Sequence, residues 1–90
     1  MKVVWTARAK EDLEHWRRHD PAKAEKIKTL IADIRANGPL KGAGKPERLK
    51  HMLHGLCSRR ITAEHRLVYR VTSKQGEPQL EILQCRYHYK

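Results

Sequence analysis

The sequence predicts an α+β fold in which a short strand and a two-helix hairpin precede antiparallel strands that form one sheet. Apolar residues recur at helical spacing from residue 7 to residue 37. The second half instead alternates apolar and polar residues with a period of two, which is typical of strands with one buried face. Ninety residues allow one modest core, so we expect a single domain that spans residues 1–90.

The first helix is expected to follow a short apolar strand at residues 2–5. Thr6 is a candidate N-cap, because its hydroxyl can accept a hydrogen bond from an amide of the first turn. One apolar stripe continues from there to about His19 and should face the sheet. The stripe consists of Ala9, Leu13 and Trp16.

Asp20 and Pro21 form the strongest helix start in the sequence, with a side-chain acceptor at the N-cap and proline at the first helical position. The second helix should end at residues 37–39, where asparagine and glycine favour a left-handed cap and proline breaks the helix. Its apolar positions are Ala24, Ile27, Leu30, Ile31 and Ile34.

Residues 38–55 are rich in glycine, proline and basic side chains, and we interpret them as a long surface loop. Glu47 stands there as one acid among cations, which should favour its ionised form. Two interpretations remain: Glu47 serves as a base, or it pairs with Lys50. The residues alone favour the ion pair, because such neighbours are common.

Three later strands are expected at residues 56–61, 66–72 and 79–87, with a turn-rich connection at residues 72–78. A three-residue loop, 63–65, would pair Thr62 with Arg66 and place the guanidinium groups of Arg60 and Arg66 on one face. Arginine forks on a rigid strand suit a phosphodiester, because their planar donors match phosphate oxygens. The alternative is a solvated basic face.

The composition points to a polyanionic partner. Twenty Lys and Arg residues against ten Asp and Glu residues give a net charge of +10. We expect a cytoplasmic protein, because there is no apolar run long enough for a signal peptide or a membrane span. The histidines are too scattered to predict a metal site, and Cys57 and Cys85 are expected to be buried thiols. Nucleic acid or an acidic protein remains as the partner.

Three segments carry a resemblance to a known family: residues 44–51 (GKPERLKH), 58–69 (SRRITAEHRLVY) and 85–89 (CRYHY). In this order they resemble the YoeB/Txe toxins of the RelE superfamily, and the resemblance covers nearly the whole chain. It implies a RelE-like microbial ribonuclease fold. It also implies a ribosome-dependent mRNA endonuclease of a type II toxin–antitoxin system, inhibited by a YefM-like antitoxin and working without a metal or other cofactor.

The resemblance assigns roles to six residues of this sequence. It implies that Glu47 is the general base, that Arg66 stabilises the phosphate and that His88 is the general acid. Supporting positions match Lys50, Arg60 and Tyr89. Two departures concern packing: Cys57 stands where close relatives usually have an aromatic residue, and the connection at residues 73–78 looks longer than usual.

Two other functions remain open at this point. ParE-like toxins of the same superfamily act on DNA gyrase without cleaving RNA, and a basic module could bind RNA without catalysis. Neither requires Glu47 together with His88, whereas acid–base cleavage requires both. The resemblance leaves open whether the toxin forms homodimers.

Overall fold

The structure is a computed structural model, and it describes residues 1–50 and 55–88. The structure has two helices and five strands, and all of them except the short second strand follow one another in the predicted order. They are β1 (Lys2–Trp5), α1 (Ala7–His19), α2 (Pro21–Asn37), β2 (Glu47–Arg48), β3 (Cys57–Arg60), β4 (Arg66–Lys74) and β5 (Glu77–Gln84). The α+β fold predicted from the sequence is therefore confirmed. Within the described ranges, neither helix has the length and apolar character needed to cross a membrane.

The strands form one sheet in the order β1-β5-β4-β3-β2, with β4 in the middle. The neighbours β5, β4, β3 and β2 are antiparallel, whereas β1 pairs with β5 in parallel. The apolar stripes of both helices pack on one face of this sheet and form the core with Leu67, Tyr69, Leu80 and Ile82. Side chains that alternate with these on β3 and β4 point to the other face.

The helix starts are set by different means. Thr6 caps α1 as predicted, because its Oγ accepts from the Ala9 amide at 3.1 Å. Its hydroxyl also donates to the Leu83 carbonyl at 2.9 Å, which joins the start of α1 to β5. The predicted side-chain cap by Asp20 is wrong: this carboxylate binds Lys23 Nζ at 2.6 Å instead, and α2 begins with Pro21 at its first turn.

The turn predicted at residues 72–78 is much shorter in the structure. β4 and β5 pair as far as Lys74 and Glu77, and only Gln75 and Gly76 form the turn, both with positive φ (54° and 81°). The sequence pattern misses the strand ends because this tip is exposed on both faces and has no apolar alternation. At its other end β5 stops at Gln84, not at residue 87.

The hairpin of β3 and β4 has a different register from the predicted one. Arg60 lies opposite Arg66, so the loop comprises residues 61–65 and Thr62 has no strand partner. The shift is two residues, which preserves the side-chain face. Arg60 and Arg66 therefore share one face of the sheet, as the sequence predicted.

The long connection after α2 is ordered by Arg59, which is completely buried. Its guanidinium group has five N–H donors. Nε donates to the Tyr69 hydroxyl at 3.1 Å, and Nη1 pairs with the Asp33 carboxylate. The remaining donors bind loop carbonyls at 2.7 to 2.9 Å, those of Gly38, Lys41 and Ala43.

Asp33 closes this network from the α2 side. Its carboxylate also accepts from the Ala43 amide at 3.0 Å, and the hydrogen bond from Arg59 holds the pKa of Asp33 below its ordinary value. Gly42 (φ 116°) fits only without a side chain, because a Cβ there would lie 2.0 Å from Asp33 Oδ2. The loop is thus closely fitted to the ion pair between Asp33 and the buried Arg59.

The fitted loop leads into an edge strand that the sequence did not predict. The Arg60 amide donates to the Gly44 carbonyl at 2.7 Å, and three residues later Glu47 pairs with Ser58. Glu47 therefore lies on β2, not on a free loop.

Replacing Arg59 by methionine should lower the free energy of unfolding by about 3–5 kcal/mol, because it leaves Asp33 and three loop carbonyls without their buried donor. Urea denaturation measures this difference. Arg17→Met is the matched control, since Arg17 is an exposed arginine whose ion pair with Glu14 is 3.7 Å long, and it should cost at most about 0.5 kcal/mol. Equal losses in the two variants would contradict the role of the network.

Candidate functional site

A cleft of about 160 Å³ opens on the sheet face opposite the helices. It is lined by Glu47, Leu49, Ser58, Arg66 and His88. The cleft therefore brings together a carboxylate, a guanidinium group and an imidazole from three separate parts of the chain. These are the three residues to which the family resemblance assigns catalytic roles.

Glu47 reaches the cleft from the edge strand. It lies opposite Ser58, whose side chain is buried on the same face, and Glu47 itself is exposed. The sequence favoured an ion pair between Glu47 and Lys50. No such pair forms among residues 1–50 and 55–88, so within that part of the chain the carboxylate of Glu47 is not held by a cation.

Arg66 is the first residue of the central strand. Its Nη1 donates to the carbonyls of Thr62 and Ala63, at 2.9 and 3.1 Å, so the hairpin loop fixes the direction of the side chain. In the described part of the chain, Nε and Nη2 have no hydrogen-bond partner. Arg66 is thus anchored through Nη1 and can present its other two nitrogens, Nε and Nη2, to an anion as hydrogen-bond donors.

His88 lies on the segment that follows β5, which we call the tail (residues 85–88). The tail is attached to α1 at its first residue. The Cys85 amide donates to Asp12 Oδ2 at 3.0 Å, and the Cys85 carbonyl accepts from Trp16 Nε1 at 2.7 Å. Asp12 and Trp16 stand one helical turn apart, so the backbone amide and carbonyl of Cys85 are both bound by the same helix face.

A second attachment joins the tail to the β3–β4 hairpin. The Tyr87 amide donates to His65 Nδ1 at 2.8 Å, and the Tyr87 carbonyl accepts from the Arg66 amide at 3.1 Å. Tyr87 adopts φ 67°, a left-handed conformation that is uncommon for a residue with a side chain. The tail therefore passes directly beside Arg66 before it reaches His88.

His65 is held in an aromatic and partly buried environment. Its ring packs edge-on against Trp16, with centroids 4.8 Å apart. Burial is the main cause that lowers the pKa of His65 below 6.5, and the positive charge of Arg86 lowers it further. The hydrogen bond to Nδ1 also requires that this nitrogen carry no proton, which favours the neutral ring.

The supporting residues fall outside this cleft. Arg60 is exposed and lies opposite Arg66 on β3, and Lys50 is exposed just after β2. Neither lines the cleft. Tyr89 lies outside the described residues. Ser58 and Leu49 do line the cleft and were not predicted, although Ser58 shares the strand face of Arg60 and could have been found from that alternation.

Two further observations concern possible binding sites elsewhere in the described ranges. A larger hollow of about 390 Å³ lies at the far end of β4, where it is lined by Lys74, Glu77 and residues around Met1. None of the residues singled out from the sequence lies there. Within residues 1–50 and 55–88, no three His, Cys, Asp or Glu side chains are grouped so that they could hold a metal ion.

The chain is similar to known proteins over nearly its whole length. Residues 5–89 match the family model of the YoeB-like toxin of bacterial type II toxin–antitoxin systems. Toxin YoeB of Escherichia coli K12 is 48% identical over 89 residues, which cover 99% of this chain and all of that protein. A solved structure described as a YoeB/ParE toxin from Agrobacterium tumefaciens is 49% identical, covers 99% of this chain and 100% of its own, and has a TM-score of 0.89.

Solved structures of YoeB from Staphylococcus aureus show two assemblies of that protein. One is a YoeB dimer, 40% identical to this chain with a TM-score of 0.88. The other is a heterotetrameric YoeB–YefM toxin–antitoxin complex, with the same identity and a TM-score of 0.84. Both matches cover 99% of this chain and 98% of the S. aureus chain.

The lowered pKa of His65 predicts a pH-dependent stability. Below about pH 6.5 the unfolded chain binds a proton at this ring more readily than the folded chain, so the free energy of unfolding should fall as the pH drops through the folded pKa. Above pH 6.5 this contribution should be fully present. The side chain of His65→Asn cannot titrate. In urea denaturation, its free energy of unfolding should therefore fall less than that of the wild type when the pH is lowered below 6.5. Identical pH dependence of the two proteins would contradict the prediction.

Proposed function

Because the chain belongs to the YoeB family of toxins of bacterial type II toxin–antitoxin systems, we propose that it is an endoribonuclease that cleaves mRNA in the ribosomal A site and so inhibits translation. The observation that carries the proposal is the cleft that Glu47, Arg66 and His88 share. A base, an acid and a cation that line one cleft are the groups that RNA cleavage by its own 2′-hydroxyl requires.

In this proposal Glu47 begins the reaction as general base. Its carboxylate takes the proton of the 2′-hydroxyl, and the resulting alkoxide attacks the adjacent phosphorus. The edge strand holds the carboxylate at the cleft through its pairing with Ser58, and no cation among the described residues neutralises it.

Arg66 and His88 complete the transfer. Negative charge develops on the phosphorane oxygens, and the two unbound donor nitrogens of Arg66 suit them because the hairpin loop already fixes the guanidinium group. His88 acts in its imidazolium form: it gives its proton to the departing 5′-oxygen and becomes neutral. The products are a 2′,3′-cyclic phosphate, or the 3′-phosphate formed from it, and a new 5′-hydroxyl. Glu47 and His88 supply both proton transfers and Arg66 stabilises the charge, so the proposed reaction needs no metal or other cofactor.

The supporting roles are also proposed. Arg60 and Lys50 are exposed cations beside the cleft and can bind the flanking phosphates of the mRNA or the ribosomal RNA. We assign Tyr89 to the same supporting set. A toxin that acts on translating ribosomes works in the cytoplasm, and residues 1–90 form the single domain that does so.

The antitoxin partner follows from the family. The S. aureus YoeB–YefM complex supports a YefM-like antitoxin for this chain, and the S. aureus YoeB dimer supports a toxin homodimer. With a net charge of +10, the toxin should bind an acidic antitoxin segment that covers or distorts the face carrying Arg60, Arg66 and His88. Neutralisation is then a consequence of occupying the cleft.

The alternatives are separated by one assay. A ParE-like toxin would inhibit DNA gyrase and leave mRNA intact, and a purely binding module would attach to ribosomes without cutting. Incubating the purified protein with ribosomes programmed with one mRNA should therefore produce discrete cuts at the A site. Binding without cuts would refute the proposed activity.

Arg66→Lys should lower the single-turnover rate of mRNA cleavage about 10- to 1,000-fold while ribosome affinity changes little, because lysine keeps the charge but loses the fork that contacts the phosphorane oxygens. Glu47→Gln and His88→Ala should also slow cleavage and spare binding. Equilibrium binding and single-turnover cleavage on the same ribosomes measure the two effects separately.

Glu77→Gln is the charge-matched control for Glu47→Gln, because it removes an exposed carboxylate at the far end of the sheet. It should cleave at the wild-type rate.

If Arg66→Lys instead weakened binding and left the cleavage rate unchanged, Arg66 would be a docking residue on a solvated basic face.

A further inference from the structure

We propose that His65 is a positioning residue for the cleft: through the Tyr87 amide it holds the tail so that His88 faces the phosphate bound by Arg66. This inference rests on the proposed function, in which His88 and Arg66 act on the same phosphodiester. His65 itself does not line the cleft, so it touches neither the substrate nor the reacting atoms.

The geometry of the attachment is specific. Two consecutive hairpin residues bind both backbone polar groups of Tyr87. An imidazole nitrogen of His65 accepts from the Tyr87 amide, and the backbone amide of Arg66 donates to the Tyr87 carbonyl. Tyr87 is thereby fixed relative to the residue that stabilises the phosphate. His88 is the next residue, and its Cα lies only about 3.8 Å from the Cα of Tyr87. A movement of Tyr87 therefore also moves the imidazole of His88.

In the described part of the chain, the other hydrogen bonds of the tail stop short of Tyr87: beyond the α1 attachment, the Gln84 side chain donates to the Arg86 carbonyl at 3.2 Å. β5 ends at Gln84, and the α1 attachment reaches only Cys85. Tyr87 is 51% exposed and has φ 67°, a conformation that persists only where the surroundings stabilise it. Of the attachments described, the one made by His65 and Arg66 is the closest to His88.

His65 is itself well placed to act as a rigid acceptor. The edge-on contact with Trp16, 4.8 Å between centroids, orients the imidazole. The same Trp16 binds the Cys85 carbonyl, so one side chain of α1 supports both attachments of the tail. The Thr62 hydroxyl accepts from the His65 amide at 3.1 Å and fixes the backbone from which the ring extends.

The charges around His65 favour the acceptor form of its ring. Burial is the main cause that lowers its pKa, the positive charges of Arg86 and Lys23 and the neighbouring His88 act in the same direction, and Glu64 opposes them. The ring is therefore neutral near pH 7, with its proton on Nε2 and a free lone pair on Nδ1 for the Tyr87 amide.

Two substitutions separate positioning from packing. His65→Phe keeps an aromatic ring against Trp16 but removes the acceptor, whereas His65→Asn removes the ring and keeps an oxygen close to the position of Nδ1. If His65 positions the tail, His65→Phe should lower the single-turnover cleavage rate about 10- to 100-fold with ribosome affinity within about twofold, and His65→Asn should recover most of the rate. If His65 only packs against Trp16, His65→Phe should instead cleave mRNA faster than His65→Asn.

A second readout is independent of activity. The amide proton of Tyr87 should move upfield in the NMR spectrum of His65→Phe, because its hydrogen bond is lost, and should stay near its wild-type position in His65→Asn. A folded His65→Phe protein that cleaves mRNA at the wild-type rate would overturn the positioning role alone. Failure of the wild type to cleave mRNA on ribosomes would instead overturn the proposed function, whatever the spectrum of Tyr87 shows.

Discussion

The buried guanidinium group of Arg59 is the interaction on which the arrangement of the cleft depends. A charge without contact with water is costly unless every donor is bound, and here all five N–H groups have acceptors. Three of those acceptors are carbonyls of the loop after α2, so the loop cannot move away without leaving three of the buried N–H donors unbound. The same loop leads into β2, and β2 carries Glu47. Burial of one arginine thus determines where the proposed base lies.

The other two proposed catalytic groups are placed by different means. Arg66 begins the central strand and is anchored by the hairpin loop, so the sheet itself fixes its position. His88 lies beyond the last strand and depends on attachments to α1 and to the hairpin. The proposed catalytic groups therefore come from an edge strand (Glu47), the first residue of the central strand (Arg66) and the tail (His88). Each has its own support, and substitutions in those supports should change activity without touching the substrate.

Much of this fold could be predicted from sequence because burial leaves a periodic trace. The stripes on both helices and the alternation in β4 follow directly from one buried face, and the shared face of Arg60 and Arg66 survives even a register error of two residues. The exposed ends of β4 and β5 left no such trace. Arg59 was missed because it reads as one more cation in a basic chain, and its burial depends on Asp33 and Tyr69, which are distant in sequence. His65 was missed for the same reason: its partner, Tyr87, is 22 residues away.

If the Arg59 network holds the proposed base in place, then weakening it should loosen one side of the sheet only. Site-resolved hydrogen exchange of Asp33→Ala and the wild type measures this most directly. The amides of Leu49 and Arg60, which bind the carbonyls of Leu56 and Gly44, should exchange at least about tenfold faster in the variant, while amides in the β4–β5 pairing keep their protection. Unchanged exchange at Leu49 and Arg60, or an equal loss of protection across the whole sheet, would contradict this role of the Arg59 network.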